Sequence, residues 1–415
     1  MNKKLVSLAV AAALVAPAAA MADATMYGKL HVSIDYQDVK TLVGDEDKFK
    51  GWGLNGNNSM VGAPRSSRFG IKGSEDLGNG LKAIYQVEFG VKLSDNNFTQ
   101  TRGDEQVTMR NSFVGLAGGW GTFLVGRHDT PLKISTGKLD MFADTMADYN
   151  GTIGFSDIRA DSAIAYISPS FSGFQIAAAV VPGGGGTING TENRDSDSLA
   201  EGWSLAGIYK NGPFYGSIAY ESMGKQLGTN DFEVGTNGDL FANVTAVGLA
   251  PVSGYVEVLD ADGNPTGTYE DAPGTANLPI QDADWKKWRI GLGILDWNGF
   301  SLTGIYENWE NGPYQGVFVN DNDRDLWQIQ AGYAFGNNMI KGMYGSMDRD
   351  TNPDKARTLG GAVDRFLADA DRSSWAIAFD HNFSKRTKAY ALYTDTDDDI
   401  ERDWSGFSLG MIHSF

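Results

Sequence analysis

The chain has 415 residues, 53 of them Gly, 12 Pro and none Cys, and its 34 Lys and Arg stand against 52 Asp and Glu for a formal charge of −18. The lack of cysteine excludes disulfide scaffolds, thiolate nucleophiles and Cys-ligated zinc. The acidic excess argues against a duplex nucleic-acid binder, which needs clustered cations to displace counterions from phosphates. No nucleic-acid partner and no cofactor is expected.

The N-terminus runs MNKKLVSLAVAAALVAPAAAMA: Lys3 and Lys4, an apolar run from Leu5, Pro17 as a helix breaker, then Ala20, Met21 and Ala22 in A-x-A spacing. That order predicts a secretory signal peptide over 1–22, cleaved after Ala22, with a single domain over 23–415. A retained anchor fits less well, because the apolar run is short for a spanning helix. No later stretch is apolar over the roughly 20 residues that a helical span requires. An exported chain of this kind is either soluble or crosses a membrane as strands.

The hydrophobic period favours strands. In TMYGKLHVSIDY, Met26, Leu30, Val32, Ile34 and Tyr36 share one face, while Tyr27, Lys29, His31, Ser33 and Asp35 share the other. Alternation at two residues is the mark of a strand with one apolar and one polar side. It recurs with Ala83, Tyr85, Val87 and Phe89 against Lys82, Gln86 and Glu88, and with Phe300, Leu302 and Tyr306 against Ser301, Thr303 and Glu307. The chain closes in the same way, with Phe407, Leu409, Met411 and Phe415 against Ser408, Gly410 and Ser414. In chain order the predicted strands are 26–36, 65–74, 81–92, 107–117, 120–127, 159–168, 173–181, 202–210, 213–222, 286–296, 299–309, 325–335, 338–348, 372–382, 386–395 and 404–415, about sixteen. Short turns (SEDLGNG, AGGW, SPSFSG, KNGP, DWNG, FGNN, NFSKR) alternate with long polar segments at 37–64, 93–106, 128–158, 182–201, 223–285, 310–324, 349–371 and 396–403. An all-β transmembrane antiparallel barrel with short periplasmic turns and long extracellular loops produces this rhythm.

Several segments together resemble the Gram-negative general-diffusion porins: YGKL, SSRFGIKGSEDLGNG, RNSFVGL followed by GTFLVGRHD, LDMFAD within 128–158, and the terminal GMIHSF. The resemblance implies a homotrimeric outer-membrane channel for small hydrophilic solutes and ions, with the third loop folded into the lumen. It places Lys29, Arg68, Arg110 and Arg159 on a basic wall. Asp140, Asp144 and Asp148 fall on the opposing acidic loop, with Asp144 where a longer Glu is common. Parity agrees for Arg68, which points away from Phe69 and Ile71, and an arginine on the lipid side at mid-depth costs about 2–4 kcal/mol. Asp140 and Asp144, four apart, are expected to project from one face of a helical turn. Phe415 resembles the terminal signal by which such barrels are recognised for insertion.

Arg127 shares parity with Phe123 and Val125 and so is expected to point away from the pore; the resemblance implies that a neighbouring subunit's second loop reaches this region, with Asp104 or Glu105 to supply a carboxylate. Loop carboxylates at Asp45 to Asp47, Asp321, Asp323, Asp325 and Asp397 to Asp399 are candidate sites for divalent cations that bridge to lipopolysaccharide. With the wall and loop charges nearly balanced, selectivity should be weak, tilting to cations at low salt as the acidic loops reach further in. Other motifs fail. GWGLNG has Gly51, Gly53 and Gly56 in dinucleotide-loop spacing but no strand-to-helix context, and LDADGNPTG puts Pro265 where a calcium loop needs Gly. His31, His128, His381 and His413 lie far apart. A substrate-selective anion or sugar channel is the alternative within the class, a secreted β-protein or adhesin the alternative outside it, and an outer-membrane hydrolase the remotest.

Overall fold

Period-two alternation needs a partner strand on each side, and the chain supplies it by closing on itself. The computed structural model describes residues 24–41, 49–55, 65–93, 107–183, 186–188, 191–194, 198–224, 227, 232–234, 255–259, 265–271, 284–314, 317–318, 322–351, 370–399 and 402–415. Sixteen strands form the wall. They are β1 (Thr25–Thr41), β2 (Arg68–Gly78), β3 (Leu81–Val91), β4 (Ser112–Gly118), β5 (Gly121–Asp129), β6 (Ile158–Ile167), β7 (Phe174–Val181) and β8 (Gly202–Asn211), followed by β9 (Phe214–Met223), β10 (Trp285–Trp297), β11 (Phe300–Glu310), β12 (Asn322–Phe335), β13 (Asn338–Thr351), β14 (Ala370–Asn382), β15 (Thr387–Asp398) and β16 (Arg402–Ser414). Each is antiparallel to the next, and β1 pairs with both β2 and β16, so the barrel closes. Each of the sixteen strands is thereby paired on both sides, the condition for spanning a bilayer with strands.

Turn chemistry agrees with the reading of SEDLGNG and DWNG. Asn79 and Gly80 both take positive φ, as do Asn298 and Gly299, the conformation that tight hairpins need and that Asn and Gly reach at least cost. The seam runs from Thr41 opposite Arg402 to Lys29 opposite Ser414, and the last residue completes it: Gly28 N–H donates to the Phe415 carbonyl at 3.0 Å and Phe415 N–H donates to the Gly28 carbonyl at 3.1 Å. The Phe415 ring lies over Gly28, where any Cβ would strike it.

The outer face is apolar, with Leu292 63% exposed and Ile34, Val114, Ile176, Ile218, Ile329, Ile340 and Leu409 exposed beside it. Above them runs a belt of paired rings: Trp203–Tyr220, Trp288–Tyr306, Trp327–Tyr344, Trp375–Tyr393 and, between β1 and the short strand Phe49–Asn55 beside it, Tyr36–Trp52. Cross-strand register makes it continuous, with Tyr220 opposite Trp288, Tyr306 opposite Trp327 and Tyr344 opposite Trp375. Amphipathic rings at one level mark the lipid headgroup boundary.

Several strand ends correct the sequence expectation. β2 runs to Gly78, and the strand predicted over 107–117 is broken after Met109 and resumes at Ser112. β1 continues to Thr41, β12 begins at Asn322, β13 runs to Thr351 and β15 to Asp398, where the sequence predicts loops. The alternation does not stop at these ends; beyond the aromatic belt the outward positions (Asp38, Lys40, Asp325, Asp348) turn polar because the strand has left hydrocarbon, and polarity on both faces mimics a loop.

The segment between β5 and β6 turns into the barrel. It carries α1 (Pro131–Thr136), capped by Thr130, and α2 (Tyr149–Thr152), capped by Asp148. Its apolar side chains make the molecule's main cores inside the lumen. Leu139, Tyr149, Ile153 and Phe155 pack with Trp285, Trp309, Leu326 and Met347 of the wall. Phe142, Met146 and Ala147 pack with Val39, Met343, Leu392 and Trp404. Gly291 and Gly293 on β10 leave the room that Leu139 fills.

Candidate functional site

The inserted segment leaves the β1–β6 side of the barrel facing it across the lumen. β1 contributes Lys29 and the start of β2 contributes Arg68, directly opposite one another in register. Both reach Asp144 of the inserted segment: Lys29 forms an ion pair with it, and Arg68 Nη1 lies 3.5 Å from its Oδ2. All three side chains are part-exposed. Burial alone would raise the Asp144 carboxyl, but Lys29 and Arg68 outweigh it and hold the group below the ordinary carboxylate range.

Arg110 lies between Val107–Met109 and β4, and its guanidinium Nε donates to Glu88 Oε1 at 2.8 Å. Tyr27 OH donates to the other oxygen of Glu88 at 2.9 Å. Two glycines make the approach possible. The Tyr27 ring lies over Gly70 and the Arg110 stem lies over Gly90, and a Cβ at either site would meet that side chain. The sequence reading placed Glu88 on the inward face without giving it a role; parity could find its face but not its neighbour.

Arg159 is placed differently from the expectation. It is 2% exposed, its Nε sits 2.8 Å from Asn111 Oδ1 and 2.9 Å from Asp129 Oδ1, and Lys133 reaches the same oxygen at 3.1 Å. Its guanidinium is therefore tied into the root of the inserted segment rather than presented to open lumen.

The acidic loop also departs from the sequence picture. Residues 140–148 form successive turns, not a helix, and Asp144 takes φ +62°, a left-handed conformation that Asp tolerates better than most residues. Asp140 and Asp144 consequently diverge. Asp140, 8% exposed, accepts from Gln330 Nε2 at 2.8 Å and from the Phe142 N–H at 2.9 Å on the β12 side. Burial pushes its pKa up to about 6. Asp148, 7% exposed, caps α2 by accepting from the Asn150 N–H at 2.9 Å, and its second oxygen accepts from the Asp144 N–H at 2.7 Å. It shapes the turn that presents Asp144.

Arg127 finds its carboxylate within its own chain: it pairs with Asp161 of β6, and its Nε donates to the Met109 carbonyl at 3.0 Å. The register shift between Gly126 and His128 makes this reach possible. Asp104, Glu105 and residues 1–22 lie outside the described residues, as do Asp45 to Asp47, Asp321 and Gly56. His31 is bonded to Tyr390 OH at 2.9 Å and His381 to Asn338 at 2.7 Å, so the two are spent on different partners. Among the described residues no group of three or more His, Asp or Glu is arranged to hold a metal.

What sequence reasoning missed lies behind the inserted segment. Arg289, fully buried, bonds Glu307 at 2.6 Å, Asp157 at 2.7 Å and Thr136 Oγ1 at 2.8 Å. Lys341 donates to the Met141 carbonyl at 2.6 Å and pairs with Asp380 at 3.0 Å. These inward cations on β10 and β13 were legible by parity, but their partners Thr136, Asp157 and Met141 come from a segment some 130 to 200 residues away in the chain.

The model of the Gram-negative porin family matches residues 8–401. The chain belongs to that family. Curated relatives include an outer membrane porin protein of Bordetella pertussis, 29% identical over 241 residues that cover 54% of this chain and 60% of that one. Another is the major outer membrane protein P.IB of Neisseria gonorrhoeae, 32% identical over 225 residues, covering 53% and 56%. The chain thus spans less than two thirds of the length of these relatives. Among solved structures, an anion-selective porin from Comamonas acidovorans superimposes with a TM-score of 0.56 at 18% identity, covering 94% of this chain and 99% of that one. The outer membrane channel DcaP of Acinetobacter baumannii superimposes with a TM-score of 0.57 at 12% identity, covering 95% and 97%. At these identities the likeness is one of fold. This porin is an outer-membrane β-barrel.

Proposed function

We propose that this porin is a passive, water-filled diffusion channel for small hydrophilic solutes and ions, and that Lys29, Arg68 and Asp144 line its constriction. The observation that carries the reading is the segment folded into a closed barrel, with a part-exposed basic wall facing its Asp144. Opposed charges across a narrow lumen orient water transversely, and an apolar solute displaces that water without replacing its interactions. The side chains of this ion-pair group are Lys29, Arg68, Arg110, Lys133 and Arg159 against Glu88, Asp129 and Asp144, five cations to three carboxylates. These ion pairs carry a formal surplus of two positive charges, while the whole chain carries −18. High salt confines each charge to its neighbourhood, so anion preference is expected there, falling towards cation preference as salt is lowered and the acidic rim reaches inward.

The reading extends to assembly and export. The headgroup belt of Trp and Tyr runs from β8 to β15 and, across Phe407 of β16, to β1, whereas the upper outer face of β2 to β7 carries none among the described residues. A face covered by protein has no use for interfacial rings, which supports a homotrimer joined through this sector. The outward carboxylates above the belt, Asp325, Asp348 and Asp371, directly opposite one another in register, suit lipopolysaccharide bridged by divalent cations. Residues 1–22 act as a cleaved signal peptide, 23–415 as the single mature domain, and Phe415 as the insertion signal.

Purified protein in liposomes should pass small sugars and give a steady conductance in planar bilayers. Vesicles that stay sealed around a folded barrel would overturn the channel reading, and a native mass of one chain would overturn the trimer.

A further inference from the structure

We propose that Glu88 is a selectivity-setting residue of the lumen, a carboxylate built into the basic wall that cancels Arg110 and leaves Lys29 and Arg68, against Asp144, as the charges that passing ions meet. This rests on the channel reading above. The geometry carries it in three ways. First, Glu88 points inward from β3 and both its oxygens are occupied on the lumen side, Oε1 by Arg110 at 2.8 Å and Oε2 by Tyr27 at 2.9 Å. Its side chain is 10% exposed and that of Arg110 is 16% exposed, so the pair sits at the water boundary rather than deep in protein. Second, the site is assembled by the backbone: Glu88 stands opposite Gly70 in register, Gly90 stands opposite Arg68, and the Arg110 N–H donates to the Glu88 carbonyl at 2.8 Å. The carboxylate is thereby locked one strand step from Arg68 and Lys29. Third, Gly70 admits the Tyr27 ring, which a Cβ would meet at 2.9 Å, and Gly90 leaves room for the Thr108 hydroxyl with the Arg110 stem beside it.

An Arg paired in this way contributes a dipole instead of a net charge. Arg110 then resists the entry of cations less than its formal charge implies, and the three-arginine wall of the sequence reading acts with one of its members silenced. Removing the carboxylate while keeping its shape restores that charge.

The test is the zero-current potential of planar bilayers across a KCl gradient, with heat-modifiable gel migration to certify folding. Glu88→Gln should raise the anion-to-cation permeability ratio about three- to fivefold, the change expected for one unit charge at several ångströms in partly screened water. Arg110→Gln should lower it by a similar factor, because the carboxylate is left unopposed. The double variant should return to the wild-type ratio, and Glu88→Asp should stay near it. A folded Glu88→Gln barrel with an unchanged ratio overturns the proposal, as does a double variant that keeps the shift of either single one. If Glu88→Gln does not fold, Arg110→Gln alone decides: a ratio that does not move towards cations overturns it. A wild-type barrel that passes no current instead overturns the channel reading.

Discussion

Replacing Asp144 by Asn separates two roles that one side chain combines, anchoring the inserted segment and setting the charge of the lumen. The anchor can be weighed. Asp144 takes one ion pair from Lys29 and a longer contact at 3.5 Å from Arg68. Hydrogen bonds to charged groups contribute about 1.5–3 kcal/mol in favourable settings, but these side chains are part-exposed in a wet lumen, and screening brings the set to about 1–2 kcal/mol. The apolar anchor is larger. Phe142 and Met146 are fully buried against the wall, and each contributes about 1.5–3 kcal/mol of burial. Lys341 and Gln330 hold the same stretch through the Met141 carbonyl and amide, at 2.6 Å each. Apolar packing outweighs the ion pair, so the Asn variant keeps its segment docked and changes only the field. One unit charge at about 8 Å acts with roughly 0.5 kcal/mol at the dielectric of water. Since its removal disfavours cations and favours anions alike, the permeability ratio should move towards anions about twofold at roughly 0.1 M salt, where the screening length is about 10 Å, and less at 1 M. Zero-current potentials at both salts give the ratio, and open-channel noise and conductance report the segment. A variant with an unchanged ratio would show that Asp144 is not at the constriction. A variant with a larger, noisier conductance would show that the ion pair, not the packing, was the anchor.

Asp140 makes docking of the inserted segment pH-dependent. Its folded pKa is raised by burial to about 6, so its contribution is present below the ordinary carboxylate range and is lost as pH rises through about 6. Hydrogen exchange of the amides of 139–148 should quicken from pH 4 to pH 7, with a component near pH 6 that Asp140→Asn abolishes; an identical profile in the variant would refute the assignment. Arg289→Ala leaves Glu307 and Asp157 buried without their cation and should cost about 3–5 kcal/mol. The midpoint of heat-modifiable migration should fall accordingly, and an unchanged midpoint would mean the network is dispensable.

Sequence alone determined the strands, because lipid imposes one rule on every outward position: Met26, Leu30, Ile34, Phe69, Ile71, Leu302 and Leu409 had to be apolar wherever they fell in the chain. The same rule put Lys29, Arg68 and Glu88 on the inner face. The family resemblance directed attention to the segment after β5, and its Asp140, Asp144 and Asp148 were visible as carboxylates. Only the tertiary structure decided which way they point. Asp144 turns to the basic wall through a left-handed backbone, Asp140 turns to Gln330, and Asp148 closes a helix cap. It also decided the inward apolar residues Trp285, Trp309, Leu326 and Met347, which break the expectation of a polar lumen because they cushion the inserted segment. The partners of Arg159, Arg127 and Arg289 escaped the sequence for the same physical reason. Alternation is a local property that lipid enforces residue by residue, whereas an ion pair across a lumen depends on register summed around the barrel and on the path of a loop, and no short stretch of chain encodes either.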